Sequence, residues 1–215
     1  MNSSNTSSVV VAHYLREASY TDLRNEAWEL CEPVRIEHYW SGEIAPATRH
    51  AEARICWNET AVNVRFVCEQ HEPLVIEQTP QTNVKTIGLW DRDVCEVFLA
   101  PSRHQSDRYY EFEAAPTGEW IDLGIQITPH GRETNWDYNS GMKTSAEIRV
   151  NQIRVGITIP WSNDLPKPQS GDEWGINLFR CVGPDEATRY LAWRPTRTPQ
   201  PNFHVPAAFG VLEFK

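Results

Sequence analysis

The sequence predicts an all-β fold, a sandwich of two mostly antiparallel sheets, and three observations lead to this prediction. Apolar and polar residues alternate over many short segments, which is the pattern of half-buried strands. Loops rich in Pro and Gly separate these segments, as turns separate neighbouring strands. A helical period is almost absent, and residues 21–30 are the one stretch that fits a short turn of helix.

The alternation predicts about eleven strands. In chain order they are expected at Val34–His38, Ala51–Trp57, Ala61–Glu69, Asp93–Leu99, Tyr109–Ala115, Glu119–Thr128, Thr144–Val150, Ile153–Pro160, Trp174–Val182, Thr188–Trp193 and Gly210–Phe214. Each is a period-two or continuous apolar run bounded by turn residues. The residues Asn151 and Gln152 between two of these runs predict a tight hairpin.

The chain of 215 residues is long enough for one large domain, and no low-complexity linker or fixed repeat divides it. We therefore expect a single β-sandwich domain over residues 13–215, preceded by a disordered tail over residues 1–12.

Composition excludes several classes of function. A net charge of −9 without a basic block argues against a nucleic-acid partner. No apolar run approaches the roughly 20 residues that span a bilayer, so membrane insertion is not expected. The first residues lack the charged start and apolar stretch of a secretory signal. The chain is therefore expected to be cytoplasmic as given, or exported with its leader absent from this sequence.

The five cysteines and seven histidines have no spacing typical of a metal site. We expect the cysteines to be buried free thiols, because Cys68 falls in phase with Val62, Val64 and Phe66 on one strand face. Neither residue type predicts a redox motif or a helical metal motif.

Five stretches occur in an order and spacing that resemble one family. They are Ala53–Asn58 with Val62–Phe66, Leu89–Leu99, Val155–Trp161, Trp174–Arg180, and Trp193 with Phe203–Gly210. Together they resemble the family 9 carbohydrate-binding modules and the wider DOMON-like sandwiches, over about 160 residues from Ala51 onward.

The resemblance implies a DOMON-like, jelly-roll-like sandwich that binds a mono- or oligosaccharide without catalysis, often at the reducing end of a glycan. It implies a link to carbohydrate catabolism, since several such modules are attached to xylan-degrading glycoside hydrolases. It implies no required cofactor and allows for a structural calcium ion. Trp90 and Glu96 match the first aromatic residue of the family and its following carboxylate, and Trp193 best matches the second aromatic residue.

The residues themselves support a sugar site independently of the resemblance, because aromatic rings match the C–H face of a pyranose and carboxylates match its hydroxyls. Trp90 lies among polar residues where a strand begins, so ring stacking on a ligand and packing in the loop are both open. Glu96 lies in mid-strand among apolar residues, so it needs a ligand or an Arg partner.

Glu113 shares a sheet face with Glu96 if their strands pair. Two facing carboxylates indicate a cation site, an Arg clamp or the acid pair of a glycosidase. Asn177 and Arg180 are further candidate ligand residues, although alternation places them on opposite faces of one strand. An internal ion pair is an equal alternative for Arg180. His204 lies in the long final loop, within reach of a sugar hydroxyl.

Trp136 lies in a polar, aromatic loop typical of a second binding surface or a lid. Core packing is expected for the tryptophans in or next to strands with apolar partners, namely Trp57, Trp120, Trp161 and Trp174. Two alternative functions remain open at this point. A glycan-active hydrolase would use Glu96 and Glu113 as its acid pair. A haem-binding DOMON-type electron-transfer domain would need an axial Met or His pair. The sequence has only two methionines, Met1 and Met142.

Overall fold

A computed structural model describes residues 8–16, 22–104 and 107–215. These residues form an all-β fold, as the sequence predicts, with four short 3-10 turns and fourteen strands where about eleven were expected. The strands are β1 Val9–Tyr14, β2 Val34–Ile36, β3 His38–Tyr39, β4 Ala51–Trp57, β5 Ala61–Glu69, β6 Val94–Ala100, β7 Arg108–Ala114, β8 Trp120–Thr128, β9 Gly131–Asn135, β10 Lys143–Arg149, β11 Gln152–Pro160, β12 Glu173–Cys181, β13 Tyr190–Ala192 and β14 Gly210–Phe214.

The strands form two layers that we call the front and back sheets. The front sheet has the order β9-β8-β7-β6-β12-β14-β1, with β13 beside the second half of β12 and β3 beside β13. The back sheet has the order β10-β11-β5-β4, with β2 on the outer side of part of β4. All pairs are antiparallel except those made by β1.

Strand β1 belongs to both sheets. Its residues 9–12 pair in parallel with β14, and its last residues, His13 and Tyr14, pair in parallel with β4. Residues 9–12 were expected in a disordered tail, and the structure corrects this. Their partner lies at the far end of the chain, so no local pattern reveals the pairing. Residues 1–7 lie outside the described residues.

The main core lies between the two sheets. Val64 and Phe66 of β5 belong to the same buried cluster as Val97 of β6 and Phe112 of β7. The inward faces are those that alternation assigns to the core. This burial supplies the main stabilising free energy of a sandwich, at about 25 cal/mol per Å² of apolar surface.

Several local features differ from the sequence expectation. Strand β9 was not predicted, because its residues are mostly polar and exposed. The predicted strand over residues 34–38 is divided into β2 and β3. Helical structure around residues 22–30 is limited to a 3-10 turn, Glu26–Leu30, and residues 17–21 are outside the described range.

Other features agree with the expectation. Asn151 adopts the left-handed conformation, with φ of 57°, in the tight hairpin between β10 and β11. Asn tolerates this conformation better than most residues. The five cysteines are buried thiols and form no disulfide bond among the described residues. Among the described residues, none of the helical segments has the length and apolar character needed to cross a membrane.

Candidate functional site

A cavity of about 370 Å³ opens on the outer face of the front sheet, over β6, β7, β8 and β9. This volume lies within the range of small-molecule sites. Its floor carries three carboxylates, Glu96, Glu111 and Glu113. Its walls are largely aromatic and come from loops that stand above the sheet.

Strand register brings the three carboxylates together. Glu96 of β6 lies directly opposite Glu113 of β7, and Phe98 lies opposite Glu111. Glu111 and Glu113 are two residues apart and therefore share a face. One oxygen of each carboxylate lies within 4.8 Å of an oxygen of the other two. We call these three residues the carboxylate floor.

Burial makes the carboxylate floor electrostatically unfavourable. Glu96, Glu111 and Glu113 are 2%, 3% and 0% exposed. Burial, and then the charge of Glu111, raise the pKa of Glu96 to about 8. Burial, and then the charge of Glu96, raise the pKa of Glu113 well above its usual value, and burial raises the pKa of Glu111. At least part of the floor is therefore protonated at neutral pH.

The groups around the floor supply little compensation. The Cys181 thiol donates to Glu96 Oε1 at 3.3 Å. His204 Nε2 lies 3.8 Å from Glu111 Oε2, but burial lowers the pKa of His204 to about 3, so the ring is neutral at pH 7. Among the described residues no Lys or Arg forms an ion pair with the three carboxylates. An Arg clamp between Glu96 and Glu113, one of the alternatives above, is therefore not found there.

Trp90 stands on a 3-10 turn, Leu89–Asp91, at the edge of the cavity. Gly88 enters the turn with φ of 80°, and Leu89 is fully buried beneath it. The Arg189 guanidinium donates to the carbonyl oxygens of Asp91 at 2.9 Å and of Arg92 at 2.7 Å. Arg189 thus holds the turn that presents the Trp90 ring.

Trp136 forms the adjoining part of the wall, on the loop between β9 and β10. Lys85 Nζ lies 2.6 Å from Asp122 Oδ1 and donates to the carbonyl oxygens of Trp136 and Tyr138. Asp122 Oδ2 accepts from both the amide and the hydroxyl of Ser140, each at 2.6 Å. These contacts fix the loop although Trp136 itself is 48% exposed.

Trp90 and Trp136 form one aromatic surface. Their ring centroids are 6.3 Å apart and their planes are inclined by 46°. A sugar between two rings needs van der Waals contact on both faces, about 3.5 to 4 Å each. The gap is too narrow for this, so the two rings offer a shared surface to one face of a ligand.

The long loop after β13 forms the other side of the cavity. Phe203 stacks on Phe179 of β12, with centroids 3.9 Å apart and planes inclined by 14°. His204 shares a hydrogen bond of 2.9 Å with the Tyr109 hydroxyl. Both loop side chains therefore reach the cavity from anchored positions.

Four of the seven predicted ligand residues meet in this cavity, namely Trp90, Glu96, Glu113 and His204. Trp193 does not, and its expected role as the second stacking ring is corrected. It is 5% exposed and belongs to the main core. A Cβ at Gly210 would collide with its ring. Alternation within Tyr190–Trp193 places it beside Leu191, facing inward.

Asn177 and Arg180 also lie away from the cavity, on opposite faces of β12 as alternation predicts. Asn177 Nδ2 donates to the Arg194 carbonyl at 2.9 Å, which ties down the start of the long loop. Arg180 lies between the sheets and donates to the carbonyls of Arg49 and His50 and to Gln70 Oε1. Both side chains are fully buried. Among the described residues, hydrogen bonds hold Arg180 and it forms no ion pair.

Sequence reasoning missed several lining residues, including Glu111, Phe98, Arg132, Tyr190 and Phe203. Glu111 could have been found, since it shares alternation with Glu113. Phe203 and Tyr190 required knowledge of how the long loop folds back.

The carboxylate pair is poorly arranged for glycoside hydrolysis. Glu96 and Glu113 point from directly opposed positions on neighbouring strands, so both reach the same side of any ligand. A glycosidase places its two carboxylates on either side of the scissile bond. Met142 is buried in the main core, away from the cavity, so it offers no axial haem ligand there.

The carboxylate floor fits a calcium ion only in part. Among the described residues it is the only group of three or more His, Cys, Asp or Glu side chains close enough to hold a metal ion. Calcium prefers six to eight oxygen ligands. The cavity walls are mainly aromatic and apolar, so water or a ligand would have to complete the shell. The structural calcium ion that the family resemblance allows for stays a prediction.

The family model described as carbohydrate family 9 binding domain-like matches residues 22–215. A search of curated proteins finds no significant match.

Solved structures share the fold. A candidate carbohydrate-binding protein from Bacteroides uniformis ATCC 8492 is 16% identical with a TM-score of 0.73, covering 96% of this chain and 99% of that one. A family 9 carbohydrate-binding module from Caldicellulosiruptor kristjanssonii in complex with cellotriose is 17% identical with a TM-score of 0.63, covering 96% and 93%. A family 9 module from the same organism in complex with glucose is 17% identical with a TM-score of 0.61, covering 96% of this chain and 95% of that one.

Proposed function

We propose that this chain, which belongs to the carbohydrate family 9 binding domain-like family, is a non-catalytic carbohydrate-binding protein whose sugar site is the cavity on the front sheet. One observation carries the proposal. The cavity combines an aromatic surface, Trp90 with Trp136, and a floor of buried carboxylates.

This combination matches both surfaces of a pyranose. The C–H face of the ring stacks on the indoles, where burial and ring contact are worth on the order of 1 to 3 kcal/mol for each ring. The hydroxyls on the far side reach the floor, where ionised carboxylates accept and protonated ones also donate hydrogen bonds. The solved module that binds glucose and cellotriose shares this fold, which supports a sugar as the ligand class.

The first test is binding of glucose, xylose and cellotriose by calorimetry to the wild-type chain and to Trp90→Ala. Loss of one stacking ring should weaken binding roughly ten- to a hundredfold. Trp161→Ala is the matched control, because that half-buried indole packs against Trp57 and Trp174 far from the cavity. It should leave the affinity unchanged in protein that near-UV circular dichroism shows to be folded.

Two results would contradict the proposal. One is an affinity that survives Trp90→Ala while Trp161→Ala abolishes it. The other is turnover of a chromogenic glycoside that disappears in Glu96→Gln, since this would make the chain an enzyme.

A further inference from the structure

The buried carboxylates of the floor need a positively charged partner, which a neutral sugar does not supply. Among the described residues, no group outside the floor donates a hydrogen bond to either oxygen of Glu113 or to Oε2 of Glu111, although Glu111 and Glu113 share one with each other. Burying an unpaired carboxylate is costly, and sugar hydroxyls supply hydrogen bonds but no charge. A neutral ligand could be held as well by amide side chains.

Among the described residues no Lys or Arg forms an ion pair with the floor, and the charges of Arg132 and Arg189 offset only part of the burial that raises the pKa of Glu111 and of Glu96. Arg132 lines the cavity from β9, but it is exposed and forms no ion pair among the described residues. The Arg189 guanidinium is engaged with the turn that carries Trp90. The remaining groups that face the floor are the neutral His204, the Tyr109 hydroxyl, the Cys181 thiol and the acidic Asp91.

The geometry fits an ammonium group. An ammonium has three N–H donors, one for each carboxylate of the floor. Three acceptors about 2.8 Å from a tetrahedral nitrogen lie about 4.6 Å apart. One oxygen from each of Glu96, Glu111 and Glu113 lies within 4.8 Å of the other two, a limit that allows a single nitrogen to reach all three.

The walls also favour an organic cation over a metal ion. The aromatic rings of Phe98, Trp90 and Trp136 line the cavity around the floor. Aromatic faces attract ammonium groups, whereas calcium needs six to eight oxygen ligands and these walls add few beyond those of Thr134 and Asn202.

We propose that the carboxylate floor receives an ammonium group, so that the preferred ligand of the cavity is a sugar with a free amino group. The proposal rests on the sugar binding proposed above and names the substrate class of that site. The sugar ring lies on Trp90 and Trp136, and its ammonium points to Glu96, Glu111 and Glu113.

Proton release accompanies this binding. Burial keeps part of the floor protonated in the free protein. An arriving ammonium stabilises the ionised carboxylates, so a carboxyl group gives its proton to the solvent. Amino-sugar binding therefore releases protons, and binding of the corresponding neutral sugar releases fewer.

The test compares glucosamine, glucose and N-acetylglucosamine by calorimetry near pH 6.5, in two buffers of different ionisation enthalpy. Glucosamine should bind at least tenfold more tightly than glucose and should release protons. N-acetylglucosamine should lose the advantage, because acetylation removes the charge. Equal affinity for glucosamine and glucose would overturn the proposal.

Substitutions test whether the carboxylate floor causes the preference for glucosamine over glucose. Glu113→Gln should reduce the ratio of glucosamine to glucose affinity at least fivefold, and Glu111→Gln serves as a second variant if the first does not fold. Glu133→Gln is the matched control, since this exposed carboxylate on β9 is not part of the cavity lining. A ratio that survives both floor substitutions would overturn the assignment.

The outcomes separate this proposal from the broader one. Binding of glucose without preference for glucosamine leaves the sugar site standing and removes the ammonium site. Binding of none of the sugars in either panel removes both. Calcium chloride that binds to the wild-type chain but not to Glu113→Gln, and that prevents glucosamine binding, would show that the floor is a metal site instead.

Discussion

The inner and outer faces of the front sheet use the same strands for opposite purposes. On β6 and β7, alternate residues such as Leu99 and Phe112 face inward and enter the main core. The residues between them, Glu96, Glu111 and Glu113, face outward and stay buried under loops. The larger buried apolar cluster therefore lies on the inner face, whereas the outer face combines a smaller cluster, which includes Phe98 and Phe179, with buried charge that costs stability and suits a ligand.

The largest effect is expected on the inner face. Leu99→Ala removes a fully buried side chain and should lower the free energy of unfolding by about 2 to 5 kcal/mol, since a cavity remains. Chemical denaturation measures this change. The affinity of the folded fraction for glucose should stay the same. A large loss of affinity would show that the two faces are coupled.

The second prediction concerns pH and the outer face. A carboxyl whose pKa is raised by folding binds more protons in the native state, so stability falls as pH rises above its unfolded value. For Glu96 the window runs from about pH 4.5 to about 8. Within this window the free energy of unfolding should fall by at most about 1.4 kcal/mol per pH unit for each such carboxyl.

Glu96→Gln should flatten this decline and raise stability near pH 8. Denaturation of both proteins across the window measures it, with the exposed Glu133→Gln as a control that should keep the wild-type slope. A wild-type stability that rises from pH 5 to 8 would contradict the unfavourable charge of the outer face.

The smallest effect concerns the loops above the outer face. Ser140→Ala removes one hydroxyl that donates to Asp122, and the backbone amide of residue 140 still donates. We expect a loss of about 1 kcal/mol in stability and a decrease in sugar affinity of less than tenfold. Amide hydrogen exchange around Trp136 should accelerate. Unchanged exchange would mean that this contact does not order the wall.

The alternation of the sequence was sufficient to predict the sheet faces and therefore the Glu96–Glu113 pair. A period of two fixes which side chains share a face, and adjacent strands supply the register. Trp193 was misplaced because its assignment rested on the family resemblance, whereas its phase with Leu191 places it in the core. Trp136 was singled out as a binding surface or lid, yet its position beside Trp90 depends on the distant Lys85–Asp122 contact.

Strand β1 has a consequence for how this domain is synthesised. Val9 pairs with Val211, so the contact that joins the first strand to the front sheet closes a loop almost as long as the domain. A nascent chain can form β4, β5 and β6 while β14 is still inside the ribosome, but β1 cannot yet pair with its partner. Such distant contacts slow folding, because their loop entropy must be overcome before the contact stabilises anything. During that interval the β12 edge later covered by β14 is exposed to other chains, which makes β14 the strand whose arrival protects the domain from aggregation.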